Sequence, residues 1–170
     1  MLKIVLKNPA PVGDAGLTWG DRNFGLSLEA ALRSIAPDTE IRQDFWPDWS
    51  PRSQDEIALV LRGKRVYRPA QGELAFLWVI SHPAAVGFDE VTHFKHVWVG
   101  SETLCERWSA QGVRNVSVMR QCADTTLFHN GIPLDDQVAV RDGVYFVGNH
   151  RNTRRDVVDW ALDAGLPFRI

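Results

Sequence analysis

Lys3-Ile4-Val5-Leu6-Lys7, the loop from Asn8 to Gly20 that holds Gly13, Gly16 and Gly20, and the run from Asp21 to Ile35 together decide the fold. The first is a short apolar run of strand type, and the second breaks it with the residue that turns chains most readily. In the third, Phe24, Leu28, Ala31, Leu32 and Ile35 recur at i, i+4, i+7, i+8 and i+11, one face of an α-helix, with Asp21 placed to cap it. Strand, glycine loop, helix is how an α/β nucleotide-binding domain starts, and the apolar helix face should lie on a sheet. Glycines ahead of a helix N-terminus let backbone N–H groups approach an anion, which the helix dipole also favours. The spacing is Gly-x-x-Gly-x-x-x-Gly rather than Gly-x-Gly-x-x-Gly, which speaks against an ordinary dinucleotide site. Two readings of the loop stay open: phosphate contact, or turning the chain and nothing more.

Outward from this stretch the same rhythm continues. Thr39 to Phe45 alternates and reads as a half-buried second strand. Asp44 stands where a dinucleotide site would hold a ribose; without the glycine fingerprint it reads as a surface or capping carboxylate. Trp46 and Trp49 follow in a proline-broken loop, either as anchors to the body or as flat faces for a ligand such as a sugar ring. Ile57–Leu61, Leu74–Ile80 and His96–Gly100 are apolar on both faces, which suits a parallel sheet covered by helices on both sides. Phe88 to Phe94 reads as a short helix. Ser101 to Gln111 reads as a capped one, with Leu104, Cys105 and Trp108 inward. Val113 to Met119 is a further strand. The alternation predicts a Rossmann-like, doubly wound α/β sheet, with strand order 3-2-1-4-5-6.

Beyond Met119 the periodicity weakens. Gln121 to Gly143 looks like a linker, its core at 131–143, and the pattern restarts with a strand at Gly143–Gly148. A helix from Thr153 to Ala164, with Val157, Trp160, Ala161 and Ala164 on one side, and a strand from Leu166 complete a βαβ unit. Residues 1–130 thus form one domain, and 144–170 either open a second, truncated one or pack onto the first.

Composition narrows the classes. With 45% apolar and 24% charged residues the chain is an ordinary globular one. A formal charge of −2 argues against nucleic acid as partner. No apolar run is long enough to cross a bilayer, Met1 runs straight into a strand without a signal peptide, and Cys105 and Cys122 are too few for a disulfide framework. A cytoplasmic protein with reduced thiols is expected. Metal is not: His93-x-x-His96 and the two cysteines lack ligand spacing, and no Gly-x-Ser-x-Gly elbow occurs.

Several stretches together resemble the GT-B glycosyltransferases, in particular the group related to the spore-maturation protein CgeB. They are Thr18-Trp19-Gly20-Asp21, Ile57–Leu61, Trp78-Val79-Ile80-Ser81-His82-Pro83, Val97-Trp98-Val99-Gly100-Ser101, Ala123-Asp124-Thr125-Thr126-Leu127-Phe128 and Tyr145-Phe146-Val147-Gly148-Asn149. Their order and spacing over nearly the whole chain carry the likeness. It implies two Rossmann-like domains facing across a cleft. Residues up to about Asn130 would be the acceptor side, and those from Val144 the start of the sugar-nucleotide side. The family's second domain is longer than the stretch after Val144, so a chain like this is expected to bind donor poorly and not to turn over alone, unless another polypeptide or a second copy supplies the rest.

Transfer from a nucleotide sugar needs the leaving diphosphate stabilised and, with inversion, a base for the acceptor hydroxyl. The family is generally metal-independent and uses no cofactor; the nucleotide sugar is a substrate. By resemblance, Gly13, Gly16 and Gly20 from one side and Gly148, Asn149, Arg151 and Arg155 from the other would face the diphosphate. The plain reading of Arg151, Arg154 and Arg155 is a solvated first helical turn, although cations there oppose the dipole. Candidate bases are His82, after a buried strand at the end where open α/β sheets hold ligands, and Asp21, which is more simply a helix cap. A histidine before Pro83 also has a purely structural reading. Trp19, Trp46 and Trp49 are the candidate acceptor contacts. The rival class is a non-catalytic α/β module binding a small ligand or partner protein.

Overall fold

A computed structural model of the chain describes residues 1–49, 55–126, 144–145 and 154–169. It divides into two compact units, Met1–Asp124 and Thr125–Ile170. The first unit runs β1 (Lys3–Pro11), α1 (Gly20–Ile35), β2 (Glu40–Trp46), β3 (Glu56–Arg62), β4 (Leu74–Val79), α2 (Phe88–Val91), β5 (His96–Val99), α3 (Glu102–Ala110) and β6 (Val116–Val118). Its strands form one six-stranded, all-parallel sheet.

The doubly wound class is as expected, but the order is β2-β1-β3-β4-β5-β6 and not 3-2-1-4-5-6. Polarity explains the difference. In β2 only Ile41 is buried, whereas in β3 Ala58, Val60, Leu61 and Arg62 are. A strand carrying Glu40, Arg42, Gln43 and Asp44 fits an edge; an apolar one fits the interior.

Alternation along the strands divides the core between the two faces. On one, Ala58, Val60, Ala75, Leu77, Val97 and Val99 pack under Val91 of α2 and Leu104 and Trp108 of α3. On the other, Leu61, Trp78 and Ile80 meet Phe24 and Leu28 of α1, and Phe24 packs edge-on against Trp78 at 5.2 Å. Each fully buried leucine or valine contributes roughly 1.5–3 kcal/mol.

α1 approaches the sheet through a glycine the periodicity passed over. A Cβ on Gly25 would lie 2.2 Å from Gln43 Oε1 and 2.3 Å from Asn8 Nδ2, two groups already bonded to each other at 2.6 Å. The inward face is therefore Phe24, Gly25, Leu28 and Leu32; Ala31 is exposed and Ile35 is 78% exposed. The Arg33 guanidinium already reaches Ile41 O near the N-terminal edge of the sheet, so Ile35 overhangs it.

Asp44 is not the surface carboxylate expected. It pairs at 2.6 Å with Lys7, directly opposite in register and fully buried, and also with Arg42. A buried ammonium needs such a partner.

The second unit has β7 (Val144–Tyr145), α4 (Asp156–Asp163) and β8 (Phe168–Arg169), the two strands parallel in a sheet of their own. In α4 Ala161 is buried, while Val157, Trp160 and Leu162 are 56%, 66% and 57% exposed. Of the expected linker, Gln121 to Gly143, residues 127–143 lie outside the described residues. No helix among the described residues is long and apolar enough to cross a membrane.

Candidate functional site

In a parallel sheet all strands point one way, so their C-terminal ends meet at one edge. β1 connects to β2 on one side while β3 lies on its other side, and the crevice beyond the carboxyl ends at such a switch point is where open α/β sheets take ligands.

The glycine loop rises here as a single 3-10 turn, Gly13–Gly16, then leads into α1. Gly13 has φ +67°, and Gly16 is buried so tightly that a Cβ would lie 2.0 Å from Pro11 O. Gly20 has open space around it. Two of the three glycines thus have a backbone reason to be glycine, which favours the turning role.

α1 begins at Gly20 with Trp19, half-buried, as its N-cap; Trp19 O accepts from Arg22 N at 3.1 Å. Asp21 is therefore not the cap. It stands in the first turn, where a carboxylate complements the dipole, and its Oδ2 lies 2.8 Å from where a Cβ on Gly63 would sit, just past β3. Asn8, buried in the C-terminal half of β1, ties this corner by donating to Asp21 O at 2.9 Å.

His82 lies past β4 at the same edge, exposed, with a left-handed backbone at φ 53°. Among described non-glycine residues this sign of φ occurs only there. Histidine tolerates that region better than most residues. Ser81 Oγ and His82 Nδ1 hydrogen-bond at 2.9 Å, which engages one of the two ring nitrogens. β1 and β4 lie two places apart in the sheet, so the loops that carry Asp21 and His82 leave it at the same edge. Gly100 and Ser101 end β5, and Ser101 Oγ accepts from Leu104 N at 3.4 Å to cap α3 as read from the sequence.

The tryptophans split. Trp49 is an anchor: its indole N–H donates to Asn8 O at 2.9 Å and its ring packs edge-on against Tyr67. Trp46 is half-buried at the end of β2, with the Arg65 guanidinium 3.7 Å from its ring centroid. Arg155 is the N-cap of α4 in the second unit, and Arg154 bonds Asp159 at 2.6 Å. Gly148, Asn149 and Arg151 lie outside the described residues.

Sequence reasoning missed the basic side chains of this edge. Arg62, 1% exposed at the end of β3, is held by both Glu90 oxygens at 2.5 and 3.0 Å and also bonds Ala85 O at 3.2 Å; it is structural. A cation closing the apolar run Ile57–Leu61 was the available signal. Arg22 and Arg65 gave none, because the aromatic rings that hold them, Phe45 and Trp46, are distant in sequence. Among the described residues no cluster of histidine, cysteine or carboxylate side chains has metal-site geometry. Comparison with known protein families, curated proteins and solved structures finds no match.

Proposed function

We propose that the first unit is the acceptor-side half of a GT-B-type glycosyltransferase, moving a sugar from a nucleotide sugar to a hydroxyl acceptor. The observation that carries this reading is the grouping of the Gly13–Gly16 turn, the first turn of α1, Asp21 and His82 at the C-terminal edge beside the β1–β3 switch point. The separate parallel βαβ of the second unit supports it, as the opening of a sugar-nucleotide side. In this reading His82 Nε2 takes the proton of the acceptor hydroxyl as the oxygen attacks the anomeric carbon. The first turn of α1 lies toward the diphosphate that leaves with the anomeric bonding pair, where its dipole offsets the developing charge. Asp21 is the second candidate base.

The test is calorimetric titration of the chain with UDP, GDP and their sugar conjugates, followed by assay of sugar release or transfer. Saturable binding of a nucleotide sugar supports the reading, and in any preparation that turns over, His82→Ala should slow transfer or hydrolysis by roughly 10²-fold or more at unchanged affinity. No heat with any nucleotide from a folded chain, at concentrations high enough to register weak binding, overturns it.

A second reading is favoured by the strand order. β2-β1-β3-β4-β5-β6 begins like the 2-1-3-4-5 order of flavodoxin-type sheets rather than the 3-2-1 order expected, and suits a non-catalytic module with a small ligand at the same edge. Binding of a small ligand with no turnover of any nucleotide sugar selects it.

A further inference from the structure

Arg65 carries an unexplained feature. Among the described residues its Nε is the only buried side-chain nitrogen or oxygen without a hydrogen-bond partner. Buried polar atoms of folded proteins nearly always have one. Its guanidinium is held by stacking over Trp46, 3.7 Å from the ring centroid. Arg22 is held the same way, 4.6 Å over the ring of the preceding residue, Phe45. Neither takes a carboxylate partner among the described residues, whereas Arg33, Arg42, Arg62, Arg68 and Arg120 each pair with an acid.

Both cations stand at one edge of the sheet. Trp46 O accepts from Val12 N at 2.9 Å, the residue before the Gly13–Gly16 turn. Lys64 and Arg65 follow Gly63, which Asp21 approaches. Arg22 is in the first turn of α1, and one of its terminal nitrogens lies 3.5 Å from where a Cβ on Gly16 would be. All of this belongs to the C-terminal edge at the switch point.

We infer that Arg65, stacked on Trp46, binds an oxyanion group of the ligand taken at this edge, a phosphate or a carboxylate. A guanidinium stacked on an indole is already ordered, so little rotamer freedom is lost on binding. With Nε buried, the two terminal nitrogens are the end that can meet the anion. Two parallel N–H···O bonds then fix its plane. The inference goes beyond the transfer reading and does not rest on it, since nucleotide sugars can fail to bind while a simple oxyanion binds here.

The experiment titrates the full chain, at low and at physiological salt, with inorganic pyrophosphate and with malonate. It is followed by calorimetry and by the arginine Nε–Hε resonances. The expected result is saturable binding of at least one probe, weakening with salt, with the Arg65 Nε–Hε resonance moving as it binds. Arg65→Gln weakens it about ten-fold, while Arg114→Gln, an exposed arginine between α3 and β6, leaves it unchanged. Arg65→Lys, which keeps the charge and loses the fork, falls between. Preference for pyrophosphate identifies a phosphate-bearing ligand and preference for malonate a carboxylate-bearing one. Should Arg65→Gln not fold, the wild-type resonance alone decides. Absence of binding by either probe, binding that leaves the Arg65 resonance unmoved, or equal affinity in Arg65→Gln overturns the inference.

Discussion

A lysine with no exposed surface has to be held by an anion, and Lys7 is held by Asp44 at 2.6 Å. Burial pushes the Asp44 carboxyl up, but the Lys7 ammonium and the Arg42 guanidinium outweigh it and hold the group below the usual carboxylate range. A carboxylate depressed by folding contributes stability above its unfolded value, about 3.9 for aspartate, and loses it as pH falls through the lower folded value. Urea midpoints should therefore fall on acidification below about pH 4, and Asp44→Asn should flatten that acid limb. At pH 7 Asp44→Asn should cost about 3–5 kcal/mol by removing the carboxylate charge that pairs with the buried Lys7 ammonium. An unchanged urea midpoint at pH 7 contradicts the pairing. Gly16 makes a separate prediction. Gly16→Ala drives a methyl into Pro11 O and should cost about 1–3 kcal/mol, while Gly20→Ala, with open space, should cost nothing measurable in the same denaturation series. Neither Asp44 nor Gly16 could be assigned from sequence. Pairing register and close approach are tertiary facts, and a lone Asp or Gly carries no mark of them.

At the scale of the element, local chemistry was legible and the direction a face takes was less so. Ser101 before Leu104, Cys105 and Trp108, apolar at i, i+1 and i+4, was enough to find α3, because a cap and a periodicity act within a few residues. Ser101→Ala should destabilise the unit by about 1 kcal/mol in urea denaturation. The periodicity of α1 also marked the right face, but not where the sheet beneath it stops. Leu28→Ala should cost about 2 kcal/mol, and Ile35→Lys less than about 0.5 kcal/mol; equal costs would place Ile35 on the sheet after all. The apolar runs Ile57–Leu61 and Leu74–Ile80 announced interior parallel strands, and the alternation of β2 announced a half-buried one. That alternation already favoured an edge, yet neighbour order depends on which strands crossovers bring together, and no single run encodes it.

For the whole molecule, the first unit closes its own core on both faces of the sheet, and Ser27 Oγ donates to Asp124 Oδ2 at 2.8 Å at its last residue. Residues 1–124 expressed alone should keep the far-UV dichroism of an α/β sheet and unfold cooperatively; a non-cooperative transition would show that the unit is not independent. The candidate site was legible in part. Gly13, Gly16, Asp21 and His82 do come to one edge, since chemistry-bearing loops of a parallel sheet gather at the carboxyl ends of its strands. Arg22 and Arg65 were not legible, because the rings that orient them are brought near only by folding. The most direct test of the nucleotide-sugar reading of this edge is a backbone amide NMR titration of the chain with UDP-glucose and GDP-mannose, carried to concentrations that register weak binding. The account predicts saturable shifts confined to Val12–Arg22, Gly63–Arg65, Ser81–His82 and Gly100–Ser101. Shifts clustered at the opposite edge, around Leu2, Thr39 and Asn115, or no shifts from either nucleotide sugar, would contradict it.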